Sequence, residues 1–135
     1  MKKTAVLLEI LLWAVVLSGC RFVRIEEEPR RSLEYSIVKQ EELPGELTAL
    51  IREKKQREFQ LTYQSGKELF LVKGYGTQLS GGYSIQVEEL GATSQAIFFR
   101  TRLIGPSEGK TVISPPSYPY IVVKMAWQKE PVIFE

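Results

Sequence analysis

The stretch from Arg57 to Val72, REFQLTYQSGKELFLV, changes character halfway along. Phe59, Leu61 and Tyr63 alternate with Glu58, Gln60, Thr62 and Gln64, a spacing of two that lines apolar side chains on one face of a β-strand. Ser65-Gly66-Lys67 supplies a turn into the apolar run Leu69 to Val72, so the stretch is predicted to be a hairpin. Upstream, Leu33 to Lys39 (LEYSIVK) puts Leu33, Tyr35 and Ile37 on one side, which predicts a strand. Between them Leu43, Leu47, Leu50 and Ile51 recur at helical spacing. Pro44 suits the first turn, Glu46 the amino end, and Lys54 and Lys55 the carboxyl end.

Downstream, Tyr83, Ile85 and Val87 alternate with polar residues, and Gly91 is expected to turn the chain into a strand from about Gln95 to Leu103. There Ile97, Phe99 and Leu103 are expected inward, with Arg100 and Arg102 toward water. A loop from Gly105 to Ser117 leads to a central strand at Tyr120 to Met125 (YIVVKM), and Val132 to Phe134 is expected as a short edge strand after Pro131. Six or seven short strands and one amphipathic helix predict a mostly β, α+β domain: an antiparallel β-sandwich or partly open barrel around one core. No internal repeat or low-complexity segment is present.

Composition narrows the chemistry. All 16 acidic residues of the 135 are Glu, and the chain has no Asp, Asn or His. That excludes Ser-His-Asp and Cys-His catalysis, His-ligated zinc, an Asp-rich calcium loop and Asn-linked glycosylation. Gly105-Pro106-Ser107-Glu108-Gly109-Lys110-Thr111 resembles a phosphate loop but has three residues between its glycines instead of four. A β-branched, proline-broken stretch (Val112 to Pro116) follows where a helix is required. Ser80 or Ser84 with Lys73 or Lys124 is the one remaining nucleophile and base set, and no spacing singles it out. The expectation is a non-enzyme without cofactor, metal or nucleotide. Near neutrality, with 18 basic residues interspersed among the acids, argues against nucleic acid.

The amino end carries an address. Lys2 and Lys3 precede Ala5 to Gly19 (AVLLEILLWAVVLSG), apolar apart from Glu9 and Ser18. As a helix this run reaches ~22 Å, short of the ~30 Å hydrocarbon core, and so reads as a signal peptide over residues 1–19. It ends in Leu17-Ser18-Gly19-Cys20, which resembles the lipobox of bacterial lipoproteins. That resemblance implies a diacylglyceryl group on Cys20, cleavage after Gly19 and an acyl chain such as palmitate on the new amino terminus. Two chains give stable anchoring where one gives marginal binding. Cys20 is the only cysteine, so no intrachain disulfide exists. Residues 20–32, with Pro29 and a run of charge, read as a solvated tether, and residues 33–135 as the β-rich domain. The expected location is the bacterial cell envelope, on the membrane and facing away from the cytoplasm.

Between Gly74 and Tyr83 the chain reads GYGTQLSGGY. Glycine allows close approach and left-handed backbone, and tyrosine offers broad contact area with a polar tip, so this is a candidate recognition loop. Ser117-Tyr118-Pro119-Tyr120 opens the central strand, with prolines stiffening the approach. Ser80-Gly81-Gly82-Tyr83-Ser84-Ile85, then Gly105-Pro106, then Ser117-Tyr118-Pro119-Tyr120 before Ile121-Val122-Val123-Lys124, resemble the PrcB C-terminal domain family over roughly Leu69 to Phe134. Leu79 stands where that family commonly has proline, and Gly105-Pro106 reverses its usual Pro-Gly order. The resemblance implies a secreted or lipid-anchored accessory subunit of a surface protease complex, binding a partner through Ser80, Gly81, Gly82, Tyr83, Tyr118, Pro119 and Tyr120. A more distant similarity, to chagasin-like cysteine-protease inhibitors, implies the alternative that these loops enter a protease cleft. The inhibitor pattern has an aromatic two residues after its Tyr, where this chain has Ile85.

Overall fold

The computed structural model describes residues 28–107 and 114–135. The expected signal peptide, Cys20, most of the tether and the Gly109-Lys110-Thr111 part of the long loop lie outside the described residues. The elements in order are β1 (Arg31–Ser32), β2 (Ser36–Ile37), a 3-10 turn (Gln40–Glu42), α1 (Gly45–Lys54), β3 (Glu58–Ser65), β4 (Glu68–Tyr75), β5 (Ser84–Ala92), β6 (Ile97–Ile104), β7 (Tyr120–Ala126) and β8 (Val132–Phe134). They form a sandwich of two four-stranded sheets, one ordered β1-β5-β6-β8 and the other β2-β7-β4-β3.

The β3–β4 hairpin pairs in full register from Glu58↔Tyr75 to Ser65↔Glu68, around a two-residue turn in which Gly66 takes φ +59°. β7 joins β4 on its other edge, making β4 and β7 the centre of that sheet. Their continuous apolar runs have a physical cause, because both faces are covered. Leu69, Leu71, Ile121, Val123 and Met125 face the other sheet and meet Leu90, Ala92, Ile97 and Phe99. Phe70, Val72 and Val122 face outward and are covered by Leu47 and Ile51 of α1. The helix starts one residue after Pro44, whose carbonyl accepts the Thr48 amide (3.0 Å) and hydroxyl (3.2 Å). Glu46 lies in its first turn and Arg52 and Lys54 in its last.

Three expectations are corrected. Leu33 to Lys39 is not one strand. β1 pairs with β5 in one sheet and β2 with β7 in the other, so the chain crosses between layers at Leu33 to Tyr35. Leu33 then packs between the sheets and Val38 against the helix side, while Ile37 is 61% exposed. Gly91 is not a turn but a strand residue paired with Ser32 and Phe98. A Cβ there would sit 3.1 Å from the Arg31 carbonyl oxygen, so glycine makes room for β1. The turn falls at Thr93 to Gln95, where the Thr93 amide donates to the Ala96 carbonyl. β5 also carries an irregularity between Val87 and Glu89, which keeps Val87 and Leu90 both in core contact across consecutive glutamates. Finally, β8 pairs with β6 in parallel, within a sandwich otherwise antiparallel.

The register defines two ends. β4 spans ~25 Å at ~3.3 Å per residue. At one end stand Tyr75, Ser84, Ile104 and Tyr120; at the other stand Glu68, Ala92, Ile97 and Ala126. The chain enters at the second end, where Arg31 pairs with Ala92 and the Glu28 carboxylate accepts the Ser94 amide. Arg30, read as tether from sequence, is held by Glu89 and Glu135 and stacks 3.7 Å over the Phe98 ring.

Candidate recognition rim

β4 ends at Tyr75 because Gly76 turns away there with φ +73°. A Cβ on Gly76 would lie 3.0 Å from the Glu58 nitrogen, so only glycine lets the chain pass β3 this closely. The Thr77 amide and hydroxyl then donate to the Gln56 carbonyl at 3.2 and 2.9 Å. Gln78 pairs with Ser117 through two backbone hydrogen bonds of 2.8 and 3.0 Å. Its side-chain amide donates to the Tyr75 carbonyl at 3.1 Å.

Beyond Gln78 serine hydroxyls do the joining. Ser117 Oγ donates to the Ser80 carbonyl at 2.6 Å, and the Gly81 amide donates to Ser114 Oγ. Gly82 takes φ +86°, and a Cβ there would lie 3.2 Å from Pro106 Cβ. A Cβ on Gly105 would sit 3.6 Å from the Tyr83 ring. The loop before β5, the Gly105-Pro106 loop after β6 and the approach to β7 are thus stitched into one rim.

The named residues fall differently along it. Ser80, Gly81, Tyr83, Tyr118 and Pro119 are half-buried and Gly82 is exposed. Tyr118 lies beneath the Lys55 ammonium, 4.8 Å from its ring centroid. The Pro119 carbonyl accepts the Tyr75 amide at 3.0 Å. Tyr120 stands apart on the helix-side face, packed against that cluster. Burial, helped by the charge of Glu41, pushes its phenol above the ordinary value. Tyr75, part of the predicted loop segment, instead closes the core end, its hydroxyl meeting that of Thr101. Sequence reading passed over Leu79 as a contact residue. It is 90% exposed at the loop tip, and the available signal was an apolar residue in a Gly/Ser loop with no periodic partner.

Among the described residues, the rim's own loop segments carry no charge, and the nearest cation is Lys55 of α1 over Tyr118. Gly74 to Ser84, Ile104 to Ser107 and Ser114 to Tyr120 contain no charged side chain, in a protein of which 25% is charged. Charge depletion with tyrosine enrichment marks the centre of protein–protein interfaces rather than ordinary surface. Each lysine of the serine and lysine pairs considered from sequence is paired with a glutamate. Lys73 Nζ donates to Glu58 at 2.7 Å and Lys124 Nζ lies 3.5 Å from Glu68. Neither is the isolated, desolvated amine that a catalytic base requires. Ser80 Oγ donates to the neighbouring Gly81 carbonyl.

Residues 69–126 match the family model described as PrcB C-terminal. The match runs from β4 through β7 and contains every loop of the rim. No curated protein and no solved structure matches the chain.

Proposed function

We propose that this PrcB C-terminal-like sandwich is a non-catalytic accessory module that docks an exported protein, in the first instance a protease-complex component, through this rim. The observation that carries the reading is the joining of three loops into one braced surface, with Leu79 at its tip and no charged side chain in its described loop segments. Bracing lowers the ordering cost that a loose loop incurs on binding, and half-exposed tyrosines supply contact area with few rotors. Ser80 to Tyr83, Tyr118 and Pro119 form the contact set. Tyr120 supports it from behind.

The same reading places the protein on a membrane through lipidated Cys20. Cys20→Ala is then expected to move it from the membrane to the soluble fraction, and retention would reject lipid anchoring. Docking is tested by cross-linking and co-purification from detergent extracts. Tyr83→Ala with Tyr118→Ala should lose the co-purifying protein, whereas Gln64→Ala on the remote hairpin should keep it. Equal recovery from both, with the fold intact, rejects the rim. The inhibitor alternative draws on the projecting, braced loop, which is the shape needed to enter a cleft. Titration of the purified protein against papain-like and subtilisin-like enzymes separates the two, since an accessory subunit leaves both rates unchanged.

A further inference from the structure

Large aromatic side chains are also exposed at the end opposite the rim. Trp127 is 46% exposed and Tyr35 41% exposed. Trp127 directly follows β7, and its amide donates to the Lys67 carbonyl in the β3–β4 turn (2.8 Å). Tyr35 lies beside Lys67, Met125 and Ala126 at the same end. This is the end at which the chain enters, through Glu28 bonded to Ser94 and Arg31 bonded to Gln128 (3.3 Å). Seven residues lie between Cys20 and Glu28, eight Cα-to-Cα steps that reach at most ~28 Å. An anchor at Cys20 therefore keeps this end within ~28 Å of the bilayer, and with this end seated the rim stands ~25 Å farther out.

We infer that the entry end rests on the lipid interface, with Trp127 and Tyr35 at headgroup depth. The inference rests on the anchoring proposed above. Tryptophan and tyrosine are the residues that favour this boundary, with an apolar ring and a polar tip. The surrounding charge is nearly balanced: Arg31, Lys67, Lys124 and Lys129 against Glu28, Glu34, Glu68 and Glu130, with Lys124 and Glu68 paired. The seat is therefore aromatic in origin and does not require anionic lipid. Its consequence is orientation, because a seated end holds the rim away from the membrane toward a partner.

Trp13 and Trp127 are the only tryptophans, and cleavage after Gly19 removes Trp13, so Trp127 is the sole reporter in the mature anchored protein. The mature protein, extracted from membranes in detergent, is incorporated into phosphatidylcholine vesicles and checked by flotation. Trp127 emission should shift to the blue and be quenched by lipid brominated near the headgroup, while aqueous acrylamide quenches it poorly. With Trp127→Phe and Leu79→Trp added, the rim reporter should stay accessible to acrylamide and untouched by bromolipid. Vesicles that float the protein while Trp127 remains fully accessible to acrylamide overturn the seat and leave the anchor standing. A protein that does not float overturns both.

Discussion

Gly74 lies on a central strand near the rim end of its sheet, paired with Phe59 on one side and Tyr120 on the other, and the Phe59 ring lies across it. A Cβ built on Gly74 falls 2.1 Å from Phe59 Cε1, 2.5 Å from Cδ1 and 2.9 Å from Cζ. Carbon atoms in contact settle at ~3.5–4 Å, so the ring has to retreat by more than ~1 Å. It cannot do so freely, because Phe59 packs against the cluster of Leu47, Ile51, Phe70, Val72 and Val122. Overpacking of this kind costs ~1–3 kcal/mol, which is the expected loss for Gly74→Ala. Phe59→Ala removes a half-buried ring and is expected to cost ~3 kcal/mol, the low end for a phenylalanine in a core. Together the two changes relieve each other, because the new methyl occupies space the ring has left. Denaturant unfolding of the four proteins should therefore give a double variant at least ~1 kcal/mol more stable than the sum of the single losses predicts. Thermal unfolding gives the same ordering, at ~4–8 °C per kcal/mol for a domain of about this size. Strict additivity within ~0.5 kcal/mol would mean that ring and glycine do not share that space, and the account of this close approach would fail.

Gly82→Ala forces a side chain onto a residue at φ +86° beside Pro106, costing ~1–2 kcal/mol locally. Amide exchange at Gln78 and Gly81 should quicken while β4 stays protected, and unchanged exchange would show that the rim does not depend on this turn. Ser117→Ala deletes the donor to the Ser80 carbonyl and should lose ~0.5–1.5 kcal/mol in denaturant unfolding, with the backbone pairing to Gln78 retained. No loss at all would remove that hydroxyl from the bracing. The hydrogen bond from Arg30 holds the Glu135 carboxyl below its ordinary value, so the pair stabilises the fold above the unfolded carboxylate range and is lost as acid protonates Glu135. The Tm difference between the unaltered protein and Arg30→Gln should thus be widest near neutrality and shrink below pH ~4. A difference constant down to low pH would assign the effect of Arg30 to its stacking on Phe98 instead.

What the residues announced and what they withheld divides along the range of the forces involved. The β3–β4 hairpin and α1 were legible because their signals are local: alternation around Gly66 in one case, and Leu43, Leu47 and Ile51 at helical spacing in the other. The crossing at Leu33 to Tyr35 was not, since LEYSIVK alternates as a strand does and only its two different partners, β5 and β7, split it. Gly91 misled for the same reason. Its glycine answers to the Arg31 backbone, which lies sixty residues away in sequence, and not to a turn. A three-residue strand such as β8 carries no mark of its direction, so its parallel pairing had to be seen. At the rim the glycines and tyrosines were readable as a group, yet their division was not. Tyr75 and Tyr120 stand at strand ends that the core and the helix-side cluster claim, while Tyr83 and Tyr118 lie in the loops.

The family-matched residues 69–126 supply β4 and β7 of one sheet and β5 and β6 of the other, the four strands whose ends hold the rim. That frame is not self-sufficient. Phe70, Val72 and Val122 point away from the inter-sheet core, and they are covered by Leu47 and Ile51, which lie outside the match. β1, β2, β3 and β8 complete the edges of both sheets and likewise lie outside it. Large apolar side chains on an uncovered sheet face would forfeit ~1.5–3 kcal/mol each of the burial that folding supplies. The segment from β1 to β3 is therefore part of the structural unit and not a separate module. That segment also brings the chain in at the end remote from the rim, so the residues that cover the sheet and the chain's point of entry belong to one stretch of sequence.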